Sequence, residues 1–134
     1  MTSSCTFSLR ITHPTMTSDE LSGALDLTPR IFRSVGEPRL DNSGTVIGYN
    51  GETFCTFKII EAEQAPLHSV LCHAIDDLSG LADALAKIEM SGGALELYAG
   101  VFNENIDTCG FTVSPQLVRK LAALNVSLTV EIYW

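Results

Sequence analysis

Apolar and polar residues alternate strictly near the start of the chain: Cys5, Phe7, Leu9 and Ile11 against Thr6, Ser8, Arg10 and Thr12. A period of two describes a strand with one buried face, and His13-Pro14 closes it. The pattern then changes. Thr17 with Glu20 three residues later makes a capping box, and Leu21, Ala24 and Leu25 form the apolar stripe of a short helix that Pro29 stops. Residues 30–44, rich in Arg, Gly, Pro, Asp and Asn, read as a loop. Asn50-Gly51 is the pair favoured by two-residue type I′ turns. Thr45–Tyr49 and Glu52–Ile60 are therefore expected to form a hairpin, with Val46 opposite Cys55 and with Val46, Cys55, Phe57 and Ile59 on one face.

Pro66 opens a helical pattern that runs to about Met90, its stripe carried by residues such as Leu67, Leu71, Ile75, Leu78, Leu85 and Ile88. Ser79-Gly80 falls on the opposite side, where a kink or a break into two helices is expected. Ser91-Gly92-Gly93 ends the segment. Ala94–Phe102 and Thr108–Val113 read as a second hairpin around Asn103–Asp107. Ser114 is a helix cap with Pro115 at the first helical position, and Asn125 suits a left-handed stop. Val126, Leu128, Val130, Ile132 and Trp134 then alternate with polar residues and Tyr133, which predicts a last strand with five buried apolar side chains. On that reading Val130→Asp buries an unpaired charge and unfolds the domain. The order implies an α+β fold, a mainly antiparallel sheet with helices on one face. From Glu52 onward it reads βαββαβ, the ferredoxin-like unit.

Composition adds limits. The 134 residues suit one domain spanning positions 1–134, expected to expose roughly 6,900 Å². With 46% hydrophobic and 18% charged residues, the chain has the core-forming content that disordered segments lack. Its apolar runs fall short of the ~20 residues of a membrane span, and Met1–Phe7 has neither the basic residue nor the apolar block of a secretory signal. Cys5, Cys55, Cys72 and Cys109 are scattered without paired spacing, which fits reduced, mostly buried thiols in a cytoplasmic chain.

The net charge of −8 is regional. Residues 60–110 hold nine acids against Lys87 alone, whereas residues 1–59 hold six acids and five bases. Such a surface repels phosphate backbones, which argues against nucleic-acid binding, and attracts a basic protein. Catalytic and metal signatures are thin. His68 and Cys72 stand four apart on one helix face and begin a ligand set that no further spaced motif completes. Cys72-His73 and Asp76-Asp77 are helical neighbours that diverge by about 100° and do not act as pairs. Neither a nucleophile elbow nor a phosphate loop is present, so no enzyme, metal or cofactor is expected. The loop Arg33-Ser34-Val35-Gly36-Glu37-Pro38-Arg39 is the densest polar cluster outside the helices.

Several segments together resemble the bacterial "domain of unknown function 4279" family: Phe-Ser-Leu-Arg-Ile at 7–11, Thr-Ser-Asp-Glu-Leu at 17–21, Leu-Asp-Leu-Thr-Pro at 25–29, Gly-Glu-Pro-Arg at 36–39 and the ending at 128–133. The resemblance spans nearly the whole chain and implies no activity. The function expected from the residues is a non-enzymatic, acidic, cytosolic binder that neutralises or regulates a basic protein, such as the immunity protein of a bacterial toxin. The partner-binding candidates are Asp76, Asp77, Asp83, Glu61 and Glu63, with Arg33, Glu37 and Arg39. The alternative is a small ligand-binding domain or enzyme that uses a cleft near the 33–39 loop.

Overall fold

The computed structural model describes residues 2–103 and 108–134. Its frame is a five-stranded sheet in the order β2-β5-β1-β6-β7. β1 (Thr2–His13) runs antiparallel between β5 (Thr53–Pro66) and β6 (Ala94–Phe102), with Leu9 opposite Phe57 on one side and Leu97 on the other. β2 (Ile31–Arg33) adds a short antiparallel edge to β5, and β7 (Val126–Tyr133) lies parallel to β6 at the far edge. The inward row of β1, Cys5, Phe7, Leu9 and Ile11, is at most 1% exposed. Leucines and isoleucines of the helices pack on that row and on Phe57 and Leu97 in one hydrophobic cluster. The fold is α+β with a mostly antiparallel sheet.

Each helix begins and ends for a local reason. In α1 (Ser18–Leu25) both arms of the Thr17–Glu20 capping box are formed, and Asp26 takes the left-handed conformation that stops it. The long helical segment breaks at Ser79–Leu81 into α2 (Leu67–Ser79) and α3 (Ala82–Met90), so both halves keep their stripes on the sheet. α4 (Pro115–Ala123) is capped by the Ser114 hydroxyl, which accepts from the Leu117 amide, and Asn125 is left-handed at φ 55°. None of the helices among the described residues is long and apolar enough to cross a membrane.

Four expectations need correction. The Asn50-Gly51 hairpin does not form: β4 (Val46–Tyr49) pairs with β3 (Pro38–Leu40), and β5 pairs with β1 and β2. A type I′ turn needs positive φ at both central residues, and neither Asn50 nor Gly51 has it. Asn50 instead locks the 34–37 turn, its amide donating to the Glu37 carbonyl, its own carbonyl accepting from Gly36 and its side chain donating to the Ser34 carbonyl. The competing turn is Asp41–Thr45, where Asp41 Oδ1 accepts the Ser43 and Thr45 amides and Gly44 supplies φ 83°.

The supposed loop 30–44 accordingly contains β2 and β3, too short to show alternation. Residues 108–113 form no strand, so the βαββαβ order lacks one member, and its proposed turn falls partly on 104–107, outside the described residues. Finally, only Val126 of the last strand's apolar row is buried. Val130 and Ile132 are each 37% exposed and Trp134 is 77% exposed, in keeping with the place of β7 at the edge of the sheet, where it pairs with β6. Of the cysteines, Cys5 and Cys55 are buried, while Cys72 and Cys109 are partly exposed; all four are free thiols.

Candidate functional site

The helices all cover one side of the sheet, which leaves its other face open. Alternation sends Thr6, Ser8, Arg10 and Thr12 of β1 to that face, and cross-strand register brings Glu96 and Tyr98 of β6 beside Arg10 and Ser8. β7 adds Thr129, Glu131 and Tyr133 in line with Tyr98, Gly100 and Phe102.

These side chains hold one another. The Arg10 guanidinium lies 3.6 Å from the Tyr98 ring centroid and 3.4 Å from Glu96 Oε1, while the Thr129 hydroxyl donates to Glu96 Oε2 at 2.8 Å. Both partners of the Arg10–Glu96 pair are about one-third exposed, so the pair contributes under about 1 kcal/mol and mainly fixes geometry. The Tyr133 hydroxyl donates to Glu131 Oε2 at 2.7 Å, and the Tyr98 hydroxyl sits 3.0 Å from the same oxygen and 2.7 Å from the Tyr133 hydroxyl. Burial first, then these hydrogen bonds, raise the Tyr98 phenol above its ordinary range. Hydroxyl donation from Tyr133 and Tyr98 holds the Glu131 carboxyl below its own. Phe102 stacks on Tyr133 with ring centroids 5.2 Å apart.

Beside this face stands an arm. Residues 30–49 form β2 and the β3–β4 ribbon, and they carry Ile31, Phe32, Leu40, Val46, Ile47 and Tyr49 with exposures of 49–67%. Arg30, Arg33 and Arg39 lie on the same segment, all exposed. The Arg33 guanidinium sits 5.3 Å over the Phe54 ring. A concavity of about 460 Å³ lies where the arm meets the sheet, lined by Arg33, Arg39, Asn50, Glu52 and Phe54. Phe54 also lines a second hollow of about 220 Å³ with Arg10 and Glu96. Arg10 in turn lines a third, of about 350 Å³, with Arg30, Tyr98 and Tyr133. Phe54 and Arg10 thus each border two neighbouring hollows between the arm and the open face. The total surface is 7782 Å², above the ~6,900 Å² typical of this mass.

The residues singled out from the sequence fall into separate places. Arg33 and Arg39 share the concavity at the base of the arm, and Glu37 lies in the turn between them, its carbonyl used by Asn50. Asp76, Asp77 and Asp83 lie exposed on the helix layer, and Asp76 is engaged by Lys120 of α4 at 3.3 Å. Glu61 does not join them: it pairs in register with Thr6 on the open face and forms an ion pair with Lys58 at 3.5 Å. Glu63 precedes α2, whereas Asp76 and Asp77 are in its last turn, about 15 Å farther along the axis. The acids are therefore distributed and do not converge. Among the described residues no group of three or more His, Cys, Asp or Glu side chains is arranged to hold a metal ion.

A family model for a domain of unknown function (DUF4279) matches residues 3–134. The chain belongs to the DUF4279 family. Its matched span includes the arm and every strand of the open face, so both belong to the DUF4279 domain itself. The family's description names no activity, and no residue role comes with it. No curated protein and no solved structure matches the chain.

Arg10, Glu96, Tyr98, Glu131 and Tyr133 were missed as a group from the sequence. Their signal was the polar half of each alternating strand, legible one strand at a time. Which polar rows become neighbours depends on strand order, and β1 with β6 is a pairing across more than 80 residues of chain.

Proposed function

We propose that this chain is a non-enzymatic binding protein whose partner, another protein, docks on the arm and the adjoining open sheet face. The observation that carries this reading is the concentration of exposed apolar side chains on residues 31–49, interleaved with arginines. Exposed apolar side chains gathered on one segment of a chain are a mark of an interaction surface. Tyr and Arg are the residues most often found at the energetic centre of protein interfaces. Those of the open face are already held by Glu96, Glu131 and the stacked rings, which lowers the entropy lost on docking. A partner segment with apolar side chains and carboxylates complements this surface.

A second reading is favoured by one observation: Asp77 and Asp83 are exposed on the helix layer and have no ion-pair partner among the described residues. On that reading a basic protein, such as a bacterial toxin neutralised by the chain, is bound through Asp76, Asp77 and Asp83. Asp76, Asp77 and Asp83 lie on the helix layer and the arm residues do not, so the two readings use different surfaces and separate cleanly.

The test is calorimetric binding of the partner that copurifies from native cells. An Arg39→Ala, Ile47→Ala, Tyr49→Ala triple variant should weaken binding by at least about 30-fold, the effect of losing one hot-spot residue. An Asp76→Asn, Asp77→Asn, Asp83→Asn triple variant should bind like wild type. The reverse outcome would transfer the function to the acidic layer.

A further inference from the structure

We propose that Cys72 is a reactive thiol site that exchanges with low-molecular-weight disulfides, with His68 as its general base. The two residues stand one turn apart on α2, and Cys72 Sγ lies 3.6 Å from His68 Nε2. The other ring nitrogen, Nδ1, is 3.1 Å from the Thr112 carbonyl oxygen. A carbonyl only accepts, so the neutral ring carries its proton on Nδ1, which leaves the Nε2 lone pair facing the thiol. Nucleophile, base and a group orienting the base are thus in sequence, the arrangement that activates a weak nucleophile.

The site is accessible. A hollow of about 240 Å³ is lined by His68, Ser69, Cys72, His73 and Asp76. The charged and titratable neighbours are His73 and Asp76 on α2 and Lys120 on α4, and Lys120 engages Asp76 at 3.3 Å. That leaves the His68 imidazole as the group in contact with the thiol. The other cysteines lack this setting. Cys5 and Cys55 are buried in the core, and burial, assisted by Asp19, pushes the Cys55 thiol up to about 11. Cys109 is partly buried with its sulfur 3.6 Å from the Ser3 hydroxyl.

In the exchange the Cys72 proton passes to His68 Nε2, and the thiolate attacks one sulfur of the disulfide RS–SR. The Cys72–S bond forms as the S–S bond breaks, and the departing RS⁻ takes the proton back from His68. The products are a Cys72 mixed disulfide and RSH, with no further oxidant or reductant. The site lies on the helix layer, away from the arm, and stands independently of the docking surface.

The folded protein, treated at neutral pH with the chromogenic aryl disulfide dithiobisnitrobenzoate, should release one fast equivalent that peptide mapping assigns to Cys72. Cys72→Ser should remove it. His68→Gln should slow it on the order of tenfold, because it removes the group positioned to take up the thiol proton during attack. Cys109 supplies an internal control, because a variant that merely loosens the fold would speed Cys109, Cys5 and Cys55 rather than slow Cys72. Glutathione disulfide should give a mixed disulfide at the same position. A fast equivalent at Cys109, or a His68→Gln protein that reacts at the wild-type rate, would overturn the assignment.

Discussion

Leu97→Asp is expected to abolish the cooperative melt of the domain, whereas Val130→Asp should leave it folded. Leu97 is fully buried in β6, opposite Leu9 of β1 and beside Leu128 of β7. An aspartate there has no cation within the cluster that surrounds it, and an unpaired carboxylate in such surroundings costs at least about 5 kcal/mol. That equals the lower end of the stability typical of whole domains. Val130 is 37% exposed on the edge strand, so an aspartate there stays hydrated and should cost about 1 kcal/mol, a few degrees of melting temperature. Circular dichroism melts of the two variants check this. Equal unfolding of both would mean that β7 is buried along its length in solution.

His13→Ala should destabilise the domain by about 2–4 kcal/mol in urea unfolding. The His13 ring is completely buried, and its Nδ1 accepts the backbone amides of Thr15 and Met16 at 3.1 and 2.9 Å. With Nδ1 accepting, the proton sits on Nε2, which donates to the Ser91 hydroxyl at 2.9 Å. Ser91 passes the connection on to the Ile88 carbonyl at the end of α3. One imidazole therefore ties the end of β1 to the end of α3, and alanine leaves a cavity plus amides without their acceptor. Gly93 closes the same corner, since a Cβ there would sit 2.8 Å from the Ile88 carbonyl oxygen and 3.1 Å from His13 Cδ2. A loss under about 1 kcal/mol would show that water replaces the ring.

His13 illustrates what sequence reading reaches and where it ends. Its adjacency to Pro14 marks the end of β1 correctly, yet Ser91 lies 78 residues away and leaves no local trace. The same division holds across the fold. The Thr17 capping box, the Ser114–Pro115 helix start, the break at Ser79-Gly80 and the left-handed Asn125 are short-range chemistry, and all were legible. The Asn50-Gly51 hairpin was the strongest local signal and failed, because Asp41–Thr45 competes as a turn and Asn50 is claimed by Ser34, Gly36 and Glu37. With that register lost, the arm became invisible. Val46 and Ile47, expected to pair with β5, are instead exposed on a separate two-stranded ribbon. Residues 33–39 stand out in the sequence as a polar cluster, whereas the strands that carry apolar residues beside them are too short to show a pattern. The acidic excess is plain in the composition, which carries no information on convergence; that depends on the path of β5 into α2.

Hydrogen exchange of the arm, with and without the copurified partner, tests the docking surface most directly. The β3–β4 ribbon is a separate two-stranded sheet, and such ribbons are marginally stable, so its amides should exchange quickly in the free chain. A partner seated on it should slow exchange at Arg39, Leu40 and Val46–Tyr49 by at least tenfold, on the order of the protection expected from a docked element, while residues 76–83 keep their free-chain rates. Protection confined to residues 76–83, with the ribbon still exchanging as in the free chain, would contradict the account.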